Sequence, residues 1–200
     1  MSTSTTQTVT PAQTALLLMD YQQAVLGSLA DPAPVLEHAR QALAWARKND
    51  VQVVYVRVAF TEEDFAGVPT HSKVFAPVAQ NKFLLDGSPE AALNESLEVR
   101  DEDILVRKTR FGAFSTSDLY RDLHAKGVDT LIIAGISTSG VVLSTLRDAG
   151  DQDYRLFVLA DATADPDAEV HRVLTEKVFP HQADVLLTAD LDALSSAASA

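Results

Sequence analysis

The chain has 200 residues, 46% hydrophobic and 22% charged, which suits one globular domain with a substantial core. A formal net charge of −12 and a pI near 4.7 argue against a nucleic-acid partner, because phosphate binding needs a concentrated basic surface. There is no cysteine, which excludes disulfides, thiolate metal ligands and thiol catalysis together.

Residues 1–13 are rich in Ser and Thr and lack the basic and apolar regions of a signal peptide, so they read as a flexible tail. No apolar run approaches the ~20 residues that a membrane span needs. A cytoplasmic chain with no membrane partner is the expectation. The run TALLLM at 14–19 reads as a first buried strand ending at Asp20. Residues 35–48 place Val35, Leu36, Ala39, Leu43 and Ala46 on one helical stripe after Pro34. The β-branched run VQVVYVRV at 51–58 predicts a second strand, and 103–106 a third.

A helix over 117–126 has Ser and Thr at its start and Gly127 at its stop. TLIIA at 130–134 is apolar throughout, as a central strand covered on both faces should be. A helix over 140–149, a strand over 154–160, a helix over 168–178 and a sixth strand over 183–187 complete the series. Alternating strands and helices predict an α/β fold: a six-stranded, mostly parallel sheet with helices on both faces. A single domain spans 14–191, and 192–200 is an Ala- and Ser-rich tail. The rhythm breaks once, over 59–100, where Phe60, Phe65, Phe75 and Phe83 occur among Pro69, Pro77 and Pro89. A connection this long is a lid, a binding loop or a subunit contact.

Open parallel sheets bind ligands beyond the carboxyl ends of their strands. That rule selects Asp20, Arg57, Lys108, the turn over 135–140 and Asp161. Asp20 and Lys108 would project into one crevice, where a carboxylate beside an ammonium can move a proton; a plain strand-end ion pair is the alternative. The turn Gly135-Ile136-Ser137-Thr138-Ser139-Gly140 has neither nucleotide-binding spacing, so its amides suit an oxyanion or a helix cap. His38, His71, His124, His171 and His181 are too scattered for a zinc site, and no G-x-S-x-G elbow occurs. Neither a metal nor a cofactor is expected.

Four segments in order resemble the isochorismatase-like hydrolases, the cysteine hydrolase superfamily. They are Leu16-Leu17-Leu18-Met19-Asp20-Tyr21-Gln22, Val106-Arg107-Lys108, Leu131-Ile132-Ile133-Ala134-Gly135-Ile136-Ser137-Thr138, and the stretch from Asp153-Tyr154-Arg155 to Asp161-Ala162. The resemblance covers roughly 14–187 and implies a six-stranded parallel sheet, a small-molecule substrate and a homodimer or higher homo-oligomer. It implies that Asp20 and Lys108 match the family's catalytic Asp and Lys. It places Gln22 near the ligand and a cis peptide at Ile136–Ser137 beside the oxyanion site. The family's nucleophilic cysteine falls at Val141, which cannot attack a substrate. The metal set of the nicotinamidases has only His71 to represent it.

Three readings follow. The first is non-covalent acid–base hydrolysis, vinyl-ether cleavage included, with Asp20 as the acid or base, Lys108 as its partner, and Arg57, Arg107 or Arg110 on a substrate carboxylate. The second is amide or ester hydrolysis by a substitute hydroxyl (Ser137, Ser139 or Ser144) or by activated water. The third is a non-catalytic binding protein that has kept the pocket. Tyr21, the phenylalanines of 59–100, and Phe111 or Phe114 are the expected pocket walls.

Overall fold

Thr14–Met19 (β1) is buried along its whole length, because it lies mid-sheet with helices on both faces. In the computed structural model, which describes residues 8–195, it is followed by Gln52–Val58 (β2), Ile104–Lys108 (β3), Thr130–Ile136 (β4), Arg155–Ala164 (β5) and Asp184–Leu186 (β6). The order is β3-β2-β1-β4-β5-β6 and every pairing is parallel, so the predicted α/β sheet is present.

Strand parity divides the core. Leu16, Leu18, Val53, Tyr55 and Ile132 pack on Ala39, Ala42, Trp45 and Ala46 of the Ala33–Lys48 helix. Ala15, Leu17, Met19, Val54, Val56 and Ile133 face the other way, onto Leu119 and Leu123 of Leu119–Ala125 and Leu146 and Ala149 of Leu143–Gly150. Each leucine removed from water in this way contributes roughly 1.5–3 kcal/mol. Gly135 is required where β1 and β4 meet: a Cβ there would stand 2.7 Å from Met19 O and 2.9 Å from Met19 Cβ.

Several boundaries differ from the sequence expectations. β3 starts one residue later than expected and runs to Lys108, so Lys108 closes the strand and is not in the turn beyond it. β5 continues to Ala164 past a register shift opposite Ile133 and Gly135. Asp161 therefore lies inside a strand, where it accepts from Thr188 N at 2.9 Å and Oγ1 at 2.7 Å, and not at the strand-end crevice. The helices expected over 140–149 and 168–178 each contain a wider π-type turn, at Thr138–Val142 and Leu174–Val178.

The described parts of both expected tails are docked. Val9 N–H donates to Leu194 O at 3.0 Å, Arg155 donates to Thr8 O at 2.8 Å, and Pro11–Gln13 forms a 3-10 turn. Leu191–Ser195 is helical and buries Leu191 and Leu194, an i,i+3 pair hidden in an Ala/Ser-rich composition. The rest of the two expected tails, 1–7 and 196–200, lies outside the described residues.

The long connection is built around its own small core of Val58, Ala59, Phe60, Phe65, Leu84 and Ala91. It contains the helices Glu62–Ala66 and Phe75–Gln80, the first opened by a Thr61–Asp64 capping box. No helix among the described residues is long and apolar enough to cross a membrane.

Candidate active site

The strand order reverses at β1, whose neighbours are β2 and β4, and this opens a crevice at the carboxyl ends. A cavity of about 210 Å³ occupies it, with Asp20, Lys108, Ile136, Ser137 and Val141 on its wall and Arg110 beside them. These six residues, all singled out from the sequence, are thus brought together. A larger hollow of about 450 Å³ lies at the opposite, amino-terminal ends, lined by charged groups such as Arg47, Asp50 and Glu102. Open-sheet chemistry favours the smaller one.

Asp20 follows β1 directly with a φ of 59°, in the left-handed region that Asp tolerates better than most side chains. Its N–H donates to Val56 O at 2.8 Å, tying it to β2. Lys108 Nζ, from the end of β3, donates to Asp20 Oδ2 at 2.7 Å and to Arg110 O at 3.0 Å. Asp20 Oδ1 is buried and, among the described residues, accepts no hydrogen bond. Burial pushes the Asp20 carboxyl above the usual carboxylate range; the charge and hydrogen bond of Lys108 oppose this, and the nearby Val58 amide opposes it more weakly.

Val141 is 2% exposed and sits in the wide turn Thr138–Val142, where Val142 N reaches back to Ser137 O at 3.2 Å. The Ile136–Ser137 peptide is cis, as the resemblance implies. Ser137 Oγ accepts from Gly140 N at 3.1 Å, so this hydroxyl caps the turn while bordering the cavity. A side chain at Gly140 would meet Ser137 Oγ at 2.6 Å, which is why glycine stands there.

Four of the expected binding residues lie elsewhere, one of them Arg107, which pairs with Asp64 at 2.6 Å. Gln22 is fully buried and bonds Val58 O at 2.9 Å, Ala91 O at 2.8 Å and Val58 N at 2.8 Å, so it fastens the long connection to the sheet. Arg57 pairs with Asp86 at 2.7 Å on the opposite face. Its parity is that of Val53 and Tyr55, which face the Ala33–Lys48 helix, and that signal was readable in the sequence. Ser139 turns away, its N–H and Oγ both donating to Asp165 Oδ2 at 2.8 and 2.7 Å.

The walls also differ in part. Phe60, Phe75 and Phe111 line the cavity, and Val25, Val74 and Val78 join them without having been singled out. Tyr21 is buried with its hydroxyl on Ala162 O, Phe114 stacks on Tyr154 with centroids 6.1 Å apart, and Phe83 faces solvent. Phe65 stacks behind Phe60 at 5.2 Å. Sequence reasoning missed a clamp on the turn. Thr138 Oγ1 bonds His171 Nδ1 at 2.8 Å, while Asp165 holds Ser139 and Pro166 borders the cavity. Such a pairing has no sequence signal, because residues 33 positions apart meet only when β4 and β5 align. Among the described residues, no three or more His, Asp or Glu side chains gather in a metal-binding group.

A buried carboxylate–ammonium pair thus lies at the switch point of a doubly wound parallel sheet, beside a cis-peptide turn. Residues 14–190 match the isochorismatase domain, and the chain belongs to the isochorismatase family. It is 32% identical over 185 residues to ureidoacrylate amidohydrolase of Acinetobacter baylyi, covering 81% of this chain and 75% of that one. It is 30% identical over 186 residues to maleamate amidohydrolase of Pseudomonas putida, covering 88% and 84%. A cysteine hydrolase from Pseudomonas syringae pv. phaseolicola superposes with a TM-score of 0.83 at 25% identity, covering 93% of this chain and 94% of that one. N-carbamoylsarcosine amidase from Thermoplasma acidophilum has the same fold, with a TM-score of 0.70 at 22% identity and 88% and 96% covered.

Proposed function

We propose that this chain hydrolyses a small organic molecule without a covalent intermediate, with Asp20 as its acid–base group and Lys108 as the partner that holds Asp20 in place. The observation that carries this reading is the buried Asp20–Lys108 pair at 2.7 Å on a cavity whose nucleophile position is a valine. Burial raises the carboxyl, which favours the protonated form that a general acid needs.

An acid-labile bond fits this arrangement best. In a vinyl ether, Asp20 gives its proton to the terminal carbon of the double bond, leaving an oxocarbenium ion. Water adds to that cation, the hemiketal collapses to a carbonyl product and an alcohol, and a proton returns to Asp20. One water is consumed and Asp20 is regenerated. The names of the relatives favour a second reading, hydrolysis of a C–N bond. There Asp20 takes a proton from water as it adds to the carbonyl and passes it to the departing nitrogen. The Ser139 and Gly140 amides are engaged within the turn or by Asp165, so oxyanion contacts fall to the turn's other amides.

The test is turnover of a panel of enol ethers and small amides by the wild type, Asp20→Asn and Ser137→Ala, run in 18O-water. We expect Asp20→Asn to lose at least roughly a hundredfold in rate. We expect Ser137→Ala to remain active, with 18O in the product and no adduct on the protein. A trapped acyl-enzyme that Ser137→Ala abolishes would overturn non-covalent hydrolysis in favour of a serine nucleophile. Binding without turnover across the panel would overturn both hydrolytic readings in favour of a binding protein.

A further inference from the structure

We infer that the substrate is a small carboxylate with a planar apolar portion, and that Arg110 holds its carboxylate; this rests on reading the cavity as the substrate site. Asp and Glu outnumber Lys and Arg by 28 to 16, so a carboxylate is within easy reach of most cations in this chain. The three arginines near the strand ends show the contrast. Arg57 is paired with Asp86 at 2.7 Å and Arg107 with Asp64 at 2.6 Å. Arg110 borders the cavity and, among the described residues, has no carboxylate partner. Among the described residues, its guanidinium donates one hydrogen bond, from Nη1 to Thr109 O at 2.6 Å.

The guanidinium carbon lies over the Phe75 ring, 5.1 Å from its centroid, and that ring leans on Phe111 at 5.1 Å. A guanidinium attracted to a ring by its charge still carries N–H donors, the groups that grip a carboxylate bidentately. Lys108 offers no competing charge, since its ammonium is already committed to Asp20 and to the Arg110 carbonyl. That second bond ties the loop carrying the anion-binding group to the partner of the acid, which sets the separation between binding and chemistry. Phe60, Phe75, Phe111, Val78 and Leu84 supply apolar walls, and about 210 Å³ limits the ligand to a small molecule.

The test is calorimetric titration of the intact chain with benzoate and with benzamide, its neutral isostere. We expect wild type to prefer benzoate by about tenfold or more, a difference a single charged fork can supply. Arg110→Gln brings the two affinities within about twofold, while Arg107→Gln, outside the cavity, keeps the preference. Arg110→Lys retains the charge without the fork and keeps part of it, which separates loss of the subsite from a folding defect in the Gln variant. Equal affinities in wild type, or a benzoate preference that survives Arg110→Gln, overturn the inference. No turnover is needed, so a chain that selects benzoate through Arg110 yet hydrolyses nothing supports the carboxylate subsite and overturns only the hydrolytic reading.

Discussion

Lys108 Nζ donates to Asp20 Oδ2 at 2.7 Å across 88 residues of sequence, with the two side chains only 2% and 7% exposed. Stability alone gives weak grounds for such a pair, because desolvating two charges offsets most of their attraction. Its place on the cavity wall is what gives it a use. Removing one member leaves the other buried and unpaired, and Lys108→Met is expected to cost roughly 3–5 kcal/mol. Asp20→Asn, which suits the left-handed backbone, combined with Lys108→Met should cost less than the sum of the single changes. Urea denaturation of the four proteins measures this coupling, and strict additivity would count against an isolated buried pair.

The pH dependence follows from the sign of the Asp20 shift. Burial raises the folded carboxyl above its unfolded value of roughly 3.9, with Lys108 opposing. The stability contributed by this raised group is full below the unfolded value and is lost as pH rises through the folded one. As a general acid, Asp20 is active below its folded pKa, so the rate on an enol ether should fall as pH rises through that point. A rate that climbs over the same interval would make Asp20 a base and favour C–N hydrolysis.

Val141→Cys puts a thiol where the family resemblance locates the nucleophile, on the wall shared with Asp20 and Lys108. Both residues are small and apolar enough to be buried, so the change is expected to cost less than about 1.5 kcal/mol. The expected result is gained amidase turnover through a covalent intermediate visible by mass spectrometry. A folded variant that forms no adduct with an amide substrate would show that the rest of the site no longer supports thiol chemistry.

His171 holds Thr138 at 2.8 Å, and Thr138 is fully buried at the start of the turn carrying Val141. Deleting the imidazole orphans that hydroxyl, so His171→Ala is expected to cost about 1–3 kcal/mol. Thr138→Val removes both the hydroxyl and its need for a partner, and the double variant should be no less stable than His171→Ala. Burial lowers the His171 pKa, opposed by Asp165, so the imidazole contributes stability above its unfolded value of about 6.5. That contribution is lost as pH falls through the folded value. Thermal melts between neutral and acid pH should show the loss in wild type and its absence in His171→Ala.

Period and composition made most of the fold legible. TALLLM and TLIIA have no polar face because β1 and β4 are covered on both sides, and the helical stripe on 35–48 packs as the i,i+3,i+4 spacing requires. Boundaries were less legible. Nothing local shows that β5 runs on to Ala164 or that Asp161 faces Thr188, since both depend on neighbours distant in the chain. Arg57 could have been set aside by parity alone, whereas Gln22 and Ser139 could not, because their partners Ala91 and Asp165 come from later segments.

The absence of cysteine was evident from composition, and the order of motifs located the gap at Val141 beside a retained Asp20 and Lys108. Those conclusions need only residue identities and spacing. Which cation is left for a ligand is a different kind of fact. Arg57, Arg107 and Arg110 carry the same charge in the sequence, and only folding assigns Asp86 to the first, Asp64 to the second and the Phe75 ring to the third. Pairing depends on distances of a few ångströms, and these arise when the strand ends and the long connection close around one cavity.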